Sequence, residues 1–493
     1  MAAESPPRPA PMTATLEVLT KGHLRWESSL VNRAKHFTLE GMSDGIREVV
    51  GRARKFFRSG ALLGLDDRRD ALAKLERVLL SRRDDLLAAL AEDLGKPGME
   101  AYLSEYYFLL QELRLVHKNM KKWLRRRRVS SPVYFWPCRS WIDREPFGVV
   151  LVIAPWNYPF QLSLSPIIAA IAAGNTVVLK PSELAPASER VLREIIEEVF
   201  DQGGAEVVTG GAEVVEALLD QKFDFIFFTG STRVGRKVAI KAAQSLTPTL
   251  MELGGKCPCV VDEGVDLKIA ARRILAGKFF NAGQTCFAPD FVAVKEKVRI
   301  DFEGACEEVL KEIPWSQEMA AMISSNHVER VKTLCEGEVK TFGDDDEERF
   351  FLAPRIILNA GWDHPAMQEE IFGPVFPIVG FADQGELVGR LEKMDNPLAV
   401  YCFSRQADFT NAVTRALPSG SLCLNDTMKQ FSQLQLPLGG VGESGYGRYR
   451  GRFGVEAFSY EKSVTKRFFI KKDFTEMLPP YEKAYRWIRK FLK

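Results

Sequence analysis

A fold of two α/β domains with parallel sheets is what this chain predicts, and three observations carry the prediction. Short, continuous apolar runs alternate with helical segments from Gly148 onward. The alternation pauses at Glu252-Leu253-Gly254-Gly255 and then starts again. The totals are those of a globular protein: 493 residues, 46% hydrophobic and 27% charged. Apolar strands spaced by helices indicate parallel sheets covered on both faces, and ligands of such sheets bind beyond the carboxyl ends of the strands.

The same totals exclude several classes. A net charge of +2 argues for neither a nucleic-acid nor an acidic partner. The basic run Lys121 to Arg128 reads as a solvated helix end. Eight cysteines are scattered without a CxxC pair, and the five histidines form no cluster at metal-ligand spacing. Free thiols, no structural metal and a reducing compartment are the resulting expectations. The longest apolar stretch, Leu162 to Leu179, contains Ser, Pro, Gly, Asn and Thr, which suits a buried helix running into a strand. The Pro-rich N-terminus lacks a secretory apolar core, so a cytoplasmic protein is expected.

Taken in order, residues 1–41 lack periodicity and read as a poorly ordered extension. Helical spacing begins at Gly45, and a longer amphipathic helix is predicted over Asp70 to Leu94, closed by Gly95-Lys96-Pro97-Gly98. Another helix is predicted over Ser104 to Arg127. The first sheet is read from strands at Gly148–Ile153, Thr176–Leu179, Glu206–Val208, Asp224–Phe228 and Pro248–Leu253, with helices between. After Gly254 the strands Pro258–Val261, Phe291–Val294, Ile378–Phe381 and Ala399–Phe403 form the second sheet. The acidic turn Asp344 to Glu348 reads as a solvated loop.

Four local features bear on chemistry. Thr229-Gly230-Ser231-Thr232-Arg233-Val234-Gly235 comes after a strand and opens a helix, where free N–H groups can receive a phosphate. Its spacing is neither the dinucleotide fingerprint nor a P-loop, so a plain strand-to-helix turn fits as well. Lys180 and Glu183 end a neighbouring strand and can reach a cofactor ribose and phosphate, or simply cap a helix. Glu252 ends another strand; a carboxylate there, among apolar neighbours, can be raised into the range of a base, or can be a surface charge. Cys286, in Asn281-Ala-Gly-Gln-Thr-Cys286, is either an inert buried thiol or a nucleophile, and no nearby histidine serves it as a base.

The series Trp156-Asn-Tyr-Pro-Phe160, Leu179-Lys-Pro-Ser-Glu183, Phe228-Thr-Gly-Ser-Thr232, Glu252-Leu-Gly-Gly-Lys256, Gly283-Gln-Thr-Cys286 and Glu369-Glu-Ile-Phe-Gly-Pro374 closely resembles the aldehyde dehydrogenase superfamily, in its class 3 branch. The resemblance covers about Ser43 to Pro480. It implies an aldehyde dehydrogenase-like fold: an NAD(P)-binding domain over 42–130 and 147–253, and a catalytic domain over 254–449. It also implies an oligomerisation hairpin and strand at 131–146 and about 450–475, and a homodimer. Residues 476–493 are left as a basic amphipathic tail, too short and charged to span a membrane but able to lie on one or to dock at a dimer surface.

By the same resemblance Cys286 attacks the aldehyde, Asn157 and the Cys286 N–H hold the oxyanion, and Glu252 activates the water that hydrolyses the thioester. Gly230, Ser231, Thr232, Arg233, Val234 and Gly235 would face the pyrophosphate, Lys180 and Glu183 the adenosine ribose, and Glu370 and Phe372 the nicotinamide end. NAD ranks before NADP, because a carboxylate at Glu183 favours free ribose hydroxyls. The implied substrate is a medium- to long-chain aliphatic or an aromatic aldehyde. The rival readings are a CoA-acylating dehydrogenase, disfavoured by Glu252, and a catalytically silent scaffold, disfavoured by Cys286 with Glu252. The chain departs from the class pattern at Leu438, Arg450 and Tyr460, which bears on substrate preference; at Arg233, which is either solvated or adds positive charge near a phosphate; and in having residues before Met42, expected to be an added or mis-assigned start.

Overall fold

The computed structural model describes residues 39–132, 135, 137–469 and 479–491. Most of the predicted extension therefore lies outside the described residues, as do Tyr134 and Trp136 of the predicted hairpin and residues 470–478. The sheets and the site belong to one compact unit, residues 45–493.

The first sheet has six strands, in the order Gly445–Tyr446, Thr249–Leu253, Phe225–Gly230, Val149–Ile153, Thr176–Lys180 and Ala205–Val207. All pairs are parallel except the first. Val149–Ile153 and Thr176–Lys180 are buried along their whole length, as continuous apolar runs require when helices cover both faces. The helix Pro159–Ala173 is buried at every position, starts with proline in its first turn and stops at the left-handed Gly174. Because the strands are parallel, residues 154–157, 180–183, 230–232 and 253–256 all leave the sheet at one edge.

The second sheet has seven strands, in the order Val339–Thr341, Arg355–Ile357, Val375–Phe381, Phe291–Lys295, Pro258–Val261, Ala399–Phe403 and Ser421–Leu424. Only the first pair is antiparallel. Three of these strands are absent from the sequence expectation: two have three residues and one has four, too few to show a period. A third, antiparallel sheet joins Arg127–Val129, Cys138–Pro146 and Ser459–Arg467. Its middle strand coincides with the predicted hairpin, but its outer strand lies before Ser131.

The helices and one domain boundary also differ from expectation. The helix expected over Asp70 to Leu94 is two helices, Leu65–Ser81 and Arg83–Leu94. Arg82 leaves the helical region, while the Ser81 hydroxyl donates to Val78 O and Arg82 reaches Asp85, Glu194 and Glu198. Such side-chain bonds compete with the helical ladder. The next helix opens with a π-helical turn, Tyr102–Tyr107, and ends at Trp123 rather than Arg127. The second domain does not keep its chain to residue 449 as expected, because Gly445–Tyr446 is an edge strand of the first sheet, with Gly445 opposite Glu252. It covers an edge of Thr249–Leu253 that would otherwise present unpaired N–H and C=O groups.

Candidate active site

Cys286 sits in a loop that the backbone holds under constraint. Asn281, Ala282 and Gly283 all take left-handed conformations, with φ of 54°, 53° and 73°. A non-glycine residue there is disfavoured, and two in succession persist only where their surroundings over-determine them. The surroundings do so. Glu100 accepts from Asn281 N at 3.0 Å, and the Gln284 amide donates to Asn281 O and Ala321 O while accepting from Ile323 N. The chain then runs through buried Thr285 to Cys286, which keeps partial exposure. Burial first, then the Glu370 and Glu252 carboxylates, push the Cys286 thiol well above its ordinary value; Arg450 opposes them.

Asn157 is clamped from below. Its carbonyl accepts from Lys96 Nζ at 3.0 Å and from Asn281 Nδ2 at 3.0 Å. Lys96 and Glu105 form a fully buried ion pair at 2.8 Å, and the other Glu105 oxygen accepts from Phe160 N and Gln161 N. Lys96 also lies 4.3 Å from the centroid of the Tyr158 ring. One N–H of the Asn157 amide goes to Gln284 O at 3.0 Å. A primary amide has two, so one donor is left for an incoming oxygen.

Glu252 is buried, and one of its oxygens has no hydrogen-bond partner among the described residues. Burial raises its carboxyl to about 8 against the opposing charges of Arg450 and Arg448. Glu370 is also raised to about 8, by burial and then by Asp290. The Glu370 loop is tethered at several points. Arg330 donates to Glu369, Glu370 O and Ile371 O, and Lys256 binds Asp290, Ala366 O and Glu369 O. Phe372, at φ 48°, meets Trp156 edge-on at 5.5 Å.

A cavity of about 470 Å³ opens between the two sheets, lined by Thr232, Arg236, Gly254, Gly255, Lys256, Glu370 and Glu443, among others. It lies at the start of the helix Thr232–Gln244, whose N-cap, Ser231, accepts from Val234 N. Gly254 is needed here, because an added Cβ would overlap Glu370 Oε2. Of the predicted phosphate run only Thr232 lines this cavity. Gly235 is buried, and an added Cβ would lie 2.5 Å from Leu253 Cδ2, so its smallness serves close packing of helix on strand. Gly230 packs on the Phe228 ring, Val234 is half-buried, and Arg233 is exposed. Lys180 is buried and paired with Glu183 at the same sheet edge. Open helix N–H groups, a glycine-lined floor and strand ends at one edge fit a dinucleotide. Among the described residues no group of His, Cys, Asp and Glu could hold a metal ion.

On the other side of Cys286 a second cavity, of about 650 Å³, is lined mainly by apolar side chains, including Phe108, Tyr158, Phe280, Met428, Phe431 and Leu434. Its buried end touches both neighbours of Cys286: the Tyr158 hydroxyl bonds Thr285 Oγ1 at 2.7 Å, and Phe431 stacks on Phe287 at 3.7 Å. Arg450 stands behind this wall, 1% exposed, its guanidinium 4.0 Å from the Phe431 ring centroid and 4.2 Å from that of Phe108. It donates to Phe431 O and Gln161 Oε1. The sequence singles out Arg450 only as a departure. It does not point to Lys96, Glu105, Asn281 or Gln284; the signal available is two charges beside the Gly95-to-Gly98 helix stop and amides flanking the cysteine.

Comparison with known proteins identifies the family. A model of the "Aldehyde dehydrogenase family" matches residues 37–464. The 4,4'-diaponeurosporen-aldehyde dehydrogenase of Staphylococcus aureus is 38% identical over 452 residues, 90% of this chain and 98% of its own. Aldehyde dehydrogenase family 3 member H1 of Arabidopsis thaliana is 38% identical over 88% of this chain and 92% of its own. Among solved structures, the substrate-bound state of Staphylococcus aureus AldH superposes with a TM-score of 0.87 at 37% identity, covering 91% of this chain and 99% of that one. A betaine aldehyde dehydrogenase from Staphylococcus aureus, solved with NAD+, gives 0.80 at 27% identity, over 90% of this chain and 89% of that one. The chain belongs to the aldehyde dehydrogenase family, with class 3 members among its relatives, and is an NAD(P)-dependent aldehyde oxidoreductase.

Proposed function

We propose that the chain converts an aldehyde to the free carboxylic acid through a thioester on Cys286. The observation that carries this reading is the meeting of three elements at one point: the constrained loop of Cys286, the clamped amide of Asn157 and the buried carboxyl of Glu252. The thiol adds to the aldehyde carbon, and its proton leaves to water or to Glu252. The new oxyanion is held by the free Asn157 N–H and the Cys286 backbone N–H, donors set in place before charge develops. Bound NAD(P) supplies the acceptor for the hydride. Glu252 then takes a proton from the water that attacks the thioester, and the acid leaves as the thiol is restored. The balance is aldehyde, water and NAD(P)+ to acid, NAD(P)H and a proton.

Thr232 and the first N–H groups of its helix are assigned to the pyrophosphate, Lys180 and Glu183 to the adenosine ribose, and Glu370 and Phe372 to the nicotinamide end. A carboxylate at Glu183 supports NAD over NADP. The apolar cavity supports a medium- to long-chain aliphatic or an aromatic aldehyde. The three-stranded sheet is the proposed seat of a homodimer. Among the described residues no helix is long and apolar enough to cross a membrane; a cytoplasmic location is the proposal. The test is initial-rate absorbance of the reduced nicotinamide, with an aldehyde panel and either cofactor. Activity with NAD that is lost in Cys286→Ala is the expected outcome. Activity surviving that change would remove the thioester from the mechanism.

A further inference from the structure

The 650 Å³ cavity beside Cys286 is graded along its length. Its inner end is made by buried Tyr158, Phe108 and Phe431. Its outer end is made by exposed residues: the cations Arg272, Arg273 and Lys429 together with the apolar Leu103 and Tyr107. Asp426 is the one carboxylate of the lining, and its Oδ1 is already taken by Thr427 N at 2.8 Å. None of the three cations is in an ion pair with a described residue, and Arg273 spends one N–H on a backbone carbonyl, Asn425 O, which leaves its charge unneutralised. Three like charges on one rim, facing a single carboxylate, raise the local concentration of anions and are left short of a partner.

We infer that the preferred substrate is an amphipathic aldehyde, with an apolar body that fills the cavity and an acidic group at the far end that meets the Arg272, Arg273 and Lys429 rim. This rests on the reading that the aldehyde carbon lies at Cys286. An ω-oxo carboxylic acid is the simplest member of the class. The rim is exposed, so each charge acts through a screened contact and contributes a few-fold rather than a thousand-fold.

The test compares kcat/KM for octanal and decanal with the ω-oxo acids of equal chain length, in the full chain with NAD, at low and high salt. The expected result is a preference for the acids of about tenfold at low salt, largely lost at high salt. Arg272→Gln, Arg273→Gln and Lys429→Gln should each cut the acids' kcat/KM by about twofold, and together by about eightfold, and leave the neutral aldehydes unchanged. Equal rates for acids and neutral aldehydes would overturn the inference, as would a loss common to both series. A rise in neutral-aldehyde oxidation on anionic vesicles, abolished by the same substitutions while the free acids gain nothing, would assign the rim to a membrane instead and also overturn it. Failure of the underlying mechanism reads differently: the neutral aldehydes themselves would be inert, or would survive loss of Cys286.

Discussion

Burial holds the Glu252 carboxyl at about 8, so near neutral pH most molecules carry a proton there. A base must be ionised to act, and the ionised fraction rises with pH through that value. Thioester hydrolysis should therefore accelerate from about pH 6 to a plateau above about pH 9, with a midpoint near 8. Single-turnover release of acid, measured after hydride transfer is complete, checks this; a rate indifferent to pH over that range would clear Glu252 of the role. Glu252→Gln should flatten the profile and slow hydrolysis by about 10²- to 10⁴-fold, the usual worth of a positioned base. The proposed mechanism places Asn157 in the earlier step. Asn157→Ala removes a preset oxyanion donor and should cost about 10²- to 10³-fold in the acylation rate. A burst of reduced nicotinamide as fast as that of the parent would contradict it. Cys286, Glu252 and Asn157 are singled out only because their strings resemble those of the family; taken alone, Cys286 reads equally as an inert thiol and Glu252 as a surface charge. Lys96 and Glu105 are not singled out. Their partner is the loop of Asn157, 61 residues from Lys96, and no local pattern announces it.

The elements show the same division. Strands buried on both faces read directly from their apolar runs, and the helix Pro159–Ala173 from its apolar length and its glycine stop. Gly445–Tyr446 does not read at all: two residues have no period, and their pairing with Thr249–Leu253 is decided across the chain. The π-helical turn Tyr102–Tyr107 is equally silent, although it carries Glu105 into the core. That element is where the Lys96–Glu105 pair acts. The pair ties the turn to the N-terminus of Pro159–Ala173 and, through Lys96, to the Asn157 carbonyl. Removing one partner leaves a buried charge uncompensated, which costs about 3–5 kcal/mol. Lys96→Met should lower stability by that amount in urea unfolding, and slow acylation more than thioester hydrolysis. A loss of stability with both rates intact would make the pair structural only.

At the scale of the molecule, the two sheets hold their charged groups in a crevice that burial makes costly to ionise. Glu100 is raised to about 7 by burial, Glu252 and Glu370 to about 8, and Glu112 is raised as well. Each binds its proton more tightly in the native state than in the unfolded chain, where a glutamate titrates near 4.3. Their contribution to stability is therefore complete below that value and is lost as pH rises through about 7 to 8. Lys278 has the opposite sign. Burial lowers it to about 8, so it costs stability while charged and relieves that cost only as pH climbs above 8. The carboxyls outnumber it and titrate first. The Tm of the full chain without cofactor should fall between about pH 5 and about pH 8 and level off above that. Glu370→Gln, which leaves a neutral group at every pH, should reduce that fall, with little effect near about pH 4, where the parent is protonated in both states. Calorimetry of both proteins across the range decides it. A Tm that is level or rising, or a variant that tracks its parent throughout, would mean the crevice admits enough water to ionise these groups without cost.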